Sequence, residues 1–359
     1  MESTSTMRSL DAIESDSVEP TLYAKEFFDV PRHNLVTGTA VQFFTQTTAE
    51  SVQQFFEPLG LTFDDAGGWA DQIKQAHKPN DAETKAFLQD PKNKSHKTWH
   101  YVDLPLGSES YEAAAALGFA RDNDVVHTIR LCVLVLQGQS DRFSPVTALR
   151  LMGHLVGDVH QPLHVACGFI DESSDPPTLV TDAGEIHAQG FKSDTGGNQI
   201  ALPGAGKLHS YWDTGLGGLI GTIDVSDSDP VTGSPSGEAD DTGELTAAAY
   251  EKLFRLVTQN LELKPLNAEA DDPGPVENWA EAWANDSIAA AREAYKTLSI
   301  AEEVKHTSST GSVQITYKVD WEGKASYNER CGPILQNQMT MAARRLAQML
   351  NAIFDPDNQ

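Results

Sequence analysis

The sequence predicts a mainly α-helical fold: a single multi-helix domain with long loops and at most a small β-hairpin. Three observations carry that expectation. Most apolar stretches repeat at helical spacing, one of them opens on a capping serine and a proline, and only SVQITYKVDW alternates with the period of a strand. At 359 residues with 40% hydrophobic content, the chain can bury a sizeable core. No run of about eighteen apolar residues occurs, so nothing in the sequence spans a membrane as a helix.

Residues 1–26 are polar and acidic and read as a disordered leader. They lack the basic start and apolar core of a signal peptide, so the chain as written reads as non-secreted, with its compartment left open. A domain over 27–354 and a tail over 355–359 complete the division. Leu35, Val36, Ala40, Phe43, Phe44, Val52, Phe55 and Phe56 keep helical spacing, and Trp69, Ala70, Ile73 and Ala76 share one side of a second helix. The alanine- and leucine-rich stretch Tyr111 to Leu136 predicts one or two core helices.

In SPVTALRLMGHLVGDVH, Ser144 is the cap and Pro145 suits the first turn. Ala148, Leu151, Leu155 and Val159 make its apolar stripe, and Pro162 ends or kinks the helix. Residues 166–207 and 214–245, rich in Gly, Asp, Ser and Pro, predict long loops. Helices are expected over Glu244 to Leu261 and Trp279 to Leu298. Val313 to Trp321 predicts a strand, half of a hairpin, and Leu335 to Ile353 a last helix between Pro333 and Pro356.

The net charge of −26 argues against a general duplex-binding surface, because nucleic acid is gripped by lysine and arginine. An enzyme that meets phosphate through bound cations is not excluded, since divalent ions reverse the local sign. Cys132, Cys167 and Cys331 are too few and scattered for a disulfide framework or a cysteine zinc site, although one pair could form. No internal repeat and no glycine-rich phosphate loop is present.

The candidate chemistry lies in histidine and aspartate. His154 and Asp158 stand four apart on one helix face, so an imidazole and a carboxylate can converge on one cation. His164 lies past Pro162, LHSYWD repeats the spacing with His209 and Asp213, and WADQI and WHYVD offer Asp71 and His100. Each piece alone has an ordinary explanation as a core histidine or an intrahelical ion pair. Together, in separated patches that each lie beside an aromatic or apolar anchor, they suggest a catalytic site with more than one ion. Imidazole and carboxylate ligands without thiolate suit zinc.

The ordered set RHNLV, GGWADQI, TWHYVD, HLVGDVHQPLHV, DTGGNQI, LHSYWD and the final helix resembles the zinc-dependent single-strand nucleases of the S-one/P-one type. The resemblance covers about Phe28 to Phe354. It implies the phospholipase C/zinc nuclease fold and hydrolysis of single-stranded DNA and RNA to 5′-phosphate products, with 3′-nucleotidase activity as a companion. It also implies three zinc ions. Asp71, His100 and His154 would hold the first, His164, His209 and Asp213 the second, and His33 the third, with Asp158 bridging the first and third. His160 stays outside the ligand set as a supporting residue.

In the family an N-terminal tryptophan closes the third site with its amino group; here Phe28 stands five residues before His33, inside the chain. Cleavage just before Phe28, or a carboxylate such as Glu26 or Asp29, would have to complete it. Lys74 falls where the family has an arginine facing the transition state, which keeps the charge and loses the bidentate fork. Asp71, Lys74 and Asp158 are the catalytic candidates. Tyr101 would stack a base, Asp103 would grip its edge, and Asn198 is a further base-binding candidate. The partner is a single-stranded nucleic acid or nucleotide, met by a monomer without membrane insertion. Two rival readings are a phospholipase C-type phosphodiesterase and a metal-stabilised homologue without catalysis.

Overall fold

The computed structural model describes residues 29–75, 78–216, 274–307 and 313–357. The leader, Glu26, Phe28, the Asp29 side chain, Ala76, most of the 214–245 loop and the helix expected over Glu244 to Leu261 lie outside the described residues. The apolar spacing after residue 28 resolves into α1 (Asp29–Val41) and α2 (Gln46–Phe56), the second capped by the Thr45 hydroxyl, which accepts from the Thr48 N–H. Two short helices follow, α3 (Trp69–Gln72) and α4 (Ala82–Gln89). The stretch from Tyr111 to Leu136 divides into α5 (Tyr111–Ala116) and α6 (Val125–Leu136), and α6 is capped by Asp124.

The central element is α7 (Pro145–His160). Ser144 Oγ accepts from the Thr147 N–H at 3.1 Å, and Pro145 occupies the first turn, where its missing N–H costs nothing. Thirteen of its sixteen residues are buried, so the helix is covered all round rather than on one stripe. Its cover comes from α1, α6, the 3-10 turn Phe63–Ala66 and two later helices, α10 and α11, described below. Leu149, Leu151, Met152, Leu155, Val156 and Val159 contribute about 1.5–3 kcal/mol each as an upper bound, which fixes the helix firmly. The chain leaves α7 at Gln161, and Pro162 starts a single 3-10 turn, Pro162–His164.

Residues 166–207 are not the plain loop their composition suggests. They hold β2 (Ala166–Cys167), which pairs in parallel with β1 (Leu104–Pro105), and β3 (Phe169–Asp171), flanked by β4 (Thr178–Val180) and β5 (Lys192–Ser193). Helix α8 (Ala183–Gln189) lies between β4 and β5. Strands β6 (Ile200–Leu202) and β7 (Gly206–Lys207) precede the short α9 (Leu208–Ser210). The expected hairpin is present as β8 (Ser299–Thr307) and β9 (Val313–Asp320), and β6 and β7 extend it to a sheet of order β7-β6-β9-β8. Strands of two or three residues show no alternation to detect, and turn composition then dominates.

Helix α10 (Trp279–Tyr295) matches its expected span closely. Helix α11 (Lys324–Phe354) does not: it begins well before Pro333 and runs through it. Tertiary packing overrides the local cost of that proline. Tyr327 and Cys331, in the turns ahead of it, are fully buried, and the Tyr327 hydroxyl accepts from Trp212 Nε1 and donates to the Ala294 carbonyl. All three cysteines are free and buried.

Candidate functional site

Asp158, on the last full turn of α7, is the hub of the site and is 1% exposed. Its Oδ2 lies 2.9 Å from His100 Nδ1 and 3.1 Å from His154 Nε2, and its Oδ1 lies 3.2 Å from His164 Nδ1 and 3.4 Å from His33 Nε2. Four imidazoles from four segments thus meet one carboxylate. Asp71, on α3, adds a second, with Oδ1 3.6 Å from His154 Nε2 and 3.9 Å from His100 Nδ1. On the far side, His164 and His209 stack with ring centroids 5.1 Å apart, and His209 Nε2 lies 3.4 Å from Asp213 Oδ2.

Local structure explains the convergence. The four-residue step on α7 puts His154 and Asp158 one turn apart. Val102 and Leu104 donate their N–H groups to the carbonyls of His164 and Val165, so the start of the β1–β2 pairing sets His100 beside His164. Gly157 lets α1 approach: a Cβ there would sit 2.5 Å from His33 Nδ1. The His33 ring instead stacks on His154 at 3.7 Å. Arg32 donates to the Trp212 carbonyl, tying α1 to the π-helical turn Tyr211–Gly215 that presents Asp213. Gln161 Nε2 donates to Asp213 Oδ1 at 2.8 Å.

Backbone carbonyls also hold three of the rings, and on His164 the held atom is the same Nδ1 that faces Asp158. His154 Nδ1 donates to the Gly67 carbonyl at 2.6 Å, His164 Nδ1 to the His100 carbonyl at 2.9 Å, and His209 Nδ1 to the Gly196 carbonyl at 2.7 Å. A carbonyl only accepts, so each of these Nδ1 atoms carries a proton, and in the neutral ring the Nε2 lone pair is then free for a cation. Backbone carbonyls commonly orient metal-binding histidines in this way. Gly196 (φ +62°) reaches His209 because it has no side chain; a Cβ would lie 2.5 Å from the Leu163 carbonyl oxygen.

The electrostatics suit a cation. Burial opposes charge on Asp158, but His154 and His164 hold its pKa well below the ordinary value. Burial likewise opposes charge on His164, yet Asp158 and Asp213 lift it to about 10, and His154 is raised by Asp158 and Asp71. Burial and Lys74 push His100 down to about 4. His100 Nδ1 and His154 Nε2 face each other at 3.1 Å, an arrangement that requires a proton or a cation between them. Three sets of donors lie within 4.8 Å of one another and could hold a metal ion: His33, His154 and Asp158; Asp71, His100 and His154; His164, His209 and Asp213. The donor chemistry, the burial and the carbonyl-held tautomers all fit a metal.

His160 has no nitrogen to spare. Its Nδ1 donates to the Val156 carbonyl, its Nε2 accepts from Arg345, and burial with the Arg345 charge pushes its pKa down to about 3. Lys74 pairs with Asp71 at the rim. A cavity of about 360 Å³ opens over the cluster and is lined also by Tyr101, Asp103 and Asn198, so the three base-binding candidates share the space of the ligand candidates. Val36, Leu335 and Met339 form its apolar wall. Burial raises the Asp103 carboxyl, with Arg121 pulling against it, and the Arg121 guanidinium lies 5.0 Å over the Tyr101 ring. Arg121 and Lys97 stand outside the sequence motifs, while Arg32 and Gln161 lie inside RHNLV and HLVGDVHQPLHV with no role that the motifs alone assign.

Residues 32–355 match the family described as S1/P1 Nuclease. The chain belongs to the S1/P1 nuclease family. It is also similar to Endonuclease 1 of Arabidopsis thaliana, 26% identical over 284 residues, which span 72% of this chain and 69% of that protein. As a member of the S1/P1 nucleases the chain is a hydrolase whose substrate is nucleic acid. No helix among its described residues is long and apolar enough to cross a membrane.

Proposed function

We propose that this chain is a zinc-dependent nuclease that hydrolyses single-stranded DNA and RNA to 5′-phosphate products and also removes phosphate from 3′-nucleotides. The observation that carries the reading is the meeting of the Asp158 hub with Tyr101, Asp103 and Asn198 in one cavity. Asp71, His100 and His154 would hold one ion, His164, His209 and Asp213 a second, and His33 with Asp158 would contribute to a third. When bound, zinc supplies Lewis-acid charge for the phosphoryl oxygens and a nucleophile at neutral pH.

The chain's own residues do the rest. Tyr101 offers an aromatic face on which one unpaired base stacks, while Asp103 and Asn198 hydrogen-bond its edge; a paired base presents neither face nor edge freely. Arg121, lying on the Tyr101 ring, stiffens that platform. Lys74 carries positive charge at the edge of Asp71, placed to meet the charge that develops on the phosphoryl group. The carbonyls of Gly67, His100 and Gly196 keep the imidazoles aimed, so the ligand set needs no rearrangement during turnover.

Assays on single-stranded DNA, RNA, a 3′-nucleotide and phosphatidylcholine, run on zinc-loaded protein, test the reading. Turnover of the first three is expected. Turnover confined to the lipid would overturn it in favour of a phospholipase C-type enzyme.

A further inference from the structure

The charge of this chain changes sign beside the cavity. Over the whole sequence 52 acidic residues face 26 lysines and arginines, yet residues 74–97 hold six lysines and three acids. Those three acids are occupied elsewhere. Asp81 accepts from the Arg150 guanidinium and caps α4, Asp90 pairs with Arg142, and Glu83 accepts from the Ser144 hydroxyl. None of them neutralises a lysine of its own segment.

Lys78, Lys85, Lys92, Lys94 and Lys97 are all exposed and make no salt bridge among the described residues. Lysines on the distant β8–β9 hairpin behave differently: Lys305 pairs with Glu303 and Lys318 with Glu302. Lys97, one turn before His100, lines the cavity together with Lys74. His96, next to Lys97 in the chain, feels burial first and then Lys97, Lys78 and Lys74, and its pKa falls to about 4. Positive charge therefore reaches from Lys74 and Lys97 at the cavity to Lys78.

We propose that Lys97 and Lys78 form a phosphate-binding ridge that takes the backbone phosphates of a polynucleotide beyond the one that is cleaved. The inference rests on the single-strand reading above and extends it: the preferred substrate is a strand long enough to lie along the ridge. Lys97, sharing the cavity with Lys74, supplies a second point charge where one lysine lacks the reach of a guanidinium fork. In an acidic protein, such a ridge guides a polyanion toward the cavity mouth.

The test is fluorescence anisotropy of a labelled twelve-nucleotide phosphorothioate thymidine strand on the full zinc-loaded chain, over a NaCl series, with cleavage of the unmodified strand followed in parallel. Each lysine–phosphate contact on a single strand adds about 0.7 to the slope of log Kd against log salt. Lys78→Gln with Lys97→Gln should lower that slope by about 1.4, so the affinity advantage of the unsubstituted chain shrinks about sevenfold between 50 and 200 mM NaCl. The loss should be smaller for a thymidine dinucleotide, which cannot reach along the ridge, and Lys305→Gln should change neither. An unchanged slope in a protein that still cleaves the strand overturns the ridge alone. Failure of the unsubstituted chain to bind or cleave any single strand overturns the single-strand reading, and the ridge with it.

Discussion

Gly157 on α7 and His33 on α1 share one space: a Cβ on Gly157 would lie 2.5 Å from His33 Nδ1 and 2.8 Å from its Cε1. The absent side chain lets the His33 ring stack on His154 and face Asp158. Gly157→Ala should therefore push His33 out of the cluster, lower zinc content and activity, and cost about 1–3 kcal/mol through overpacking. Gly153→Ala is the comparison, since its Cβ would meet Thr37 Cγ2 and Ala66 Cβ rather than a ligand candidate. It should lower the Tm and leave zinc content intact. Equal zinc content in both variants would contradict the role given to the Gly157 gap.

Much of this site was legible in the sequence because its parts obey short-range rules. Ser144 and Pro145 announce α7, and the four-residue step of a helix puts His154 and Asp158 on one face. Pro162 announces the turn that carries His164. What escaped the sequence depends on partners far apart in the chain. Arg345 meets His160 across 185 residues, and Arg32 meets Trp212 across 180. Neither pairing leaves a periodic trace. The start of α11 escaped for a related reason: Pro333 is a local stop signal, and the turns ahead of it are anchored by tertiary contacts of residues such as the buried Tyr327 and Cys331. The strands between residues 166 and 207 are too short to alternate.

Asp194 gives a pH prediction away from the ligand candidates. It is fully buried and accepts from the Gly197 N–H and the Tyr295 hydroxyl, both at 2.8 Å. Burial raises its pKa to about 7, those two hydrogen bonds work against the rise, and Asp103 adds to it. A carboxyl raised above its ordinary value of 3.8 keeps a proton in the folded state that the unfolded chain has lost. Its contribution to stability therefore declines as pH climbs from about 4 to about 7 and is level above that. Urea unfolding in chelator, compared between the unsubstituted chain and Asp194→Asn, should show their stability difference drifting over this window. A difference constant with pH would contradict the buried, protonated carboxyl.

Asp194 also anchors the turn whose Gly196 carbonyl holds His209. Asp194→Asn should accordingly weaken zinc binding about 10–100-fold at the site of His164, His209 and Asp213, as loss of an orienting contact does. Zinc titration with a competing chelator measures it. Unchanged affinity would mean that the turn holds its shape without the carboxylate.

Lys74 should act on the reaction rather than on folding, since it lies at the rim and pairs with Asp71. Lys74→Ala should lower kcat/KM about 100-fold, the scale of losing one group that meets developing charge. Lys74→Arg should equal or exceed the unsubstituted chain, because a guanidinium adds a bidentate grip on phosphate oxygens. An alanine variant within twofold of the unsubstituted chain would remove Lys74 from the catalytic set.

The residues around Asp158 are proposed to hold the zinc that makes this chain a nuclease. The direct measurement is metal content by mass spectrometry alongside hydrolysis of single-stranded DNA, before chelation, after it, and after zinc is returned. Zinc is expected in the active protein, with loss of hydrolysis when the metal is removed and recovery when zinc is added back. Undiminished hydrolysis by protein shown to be free of metal would contradict it.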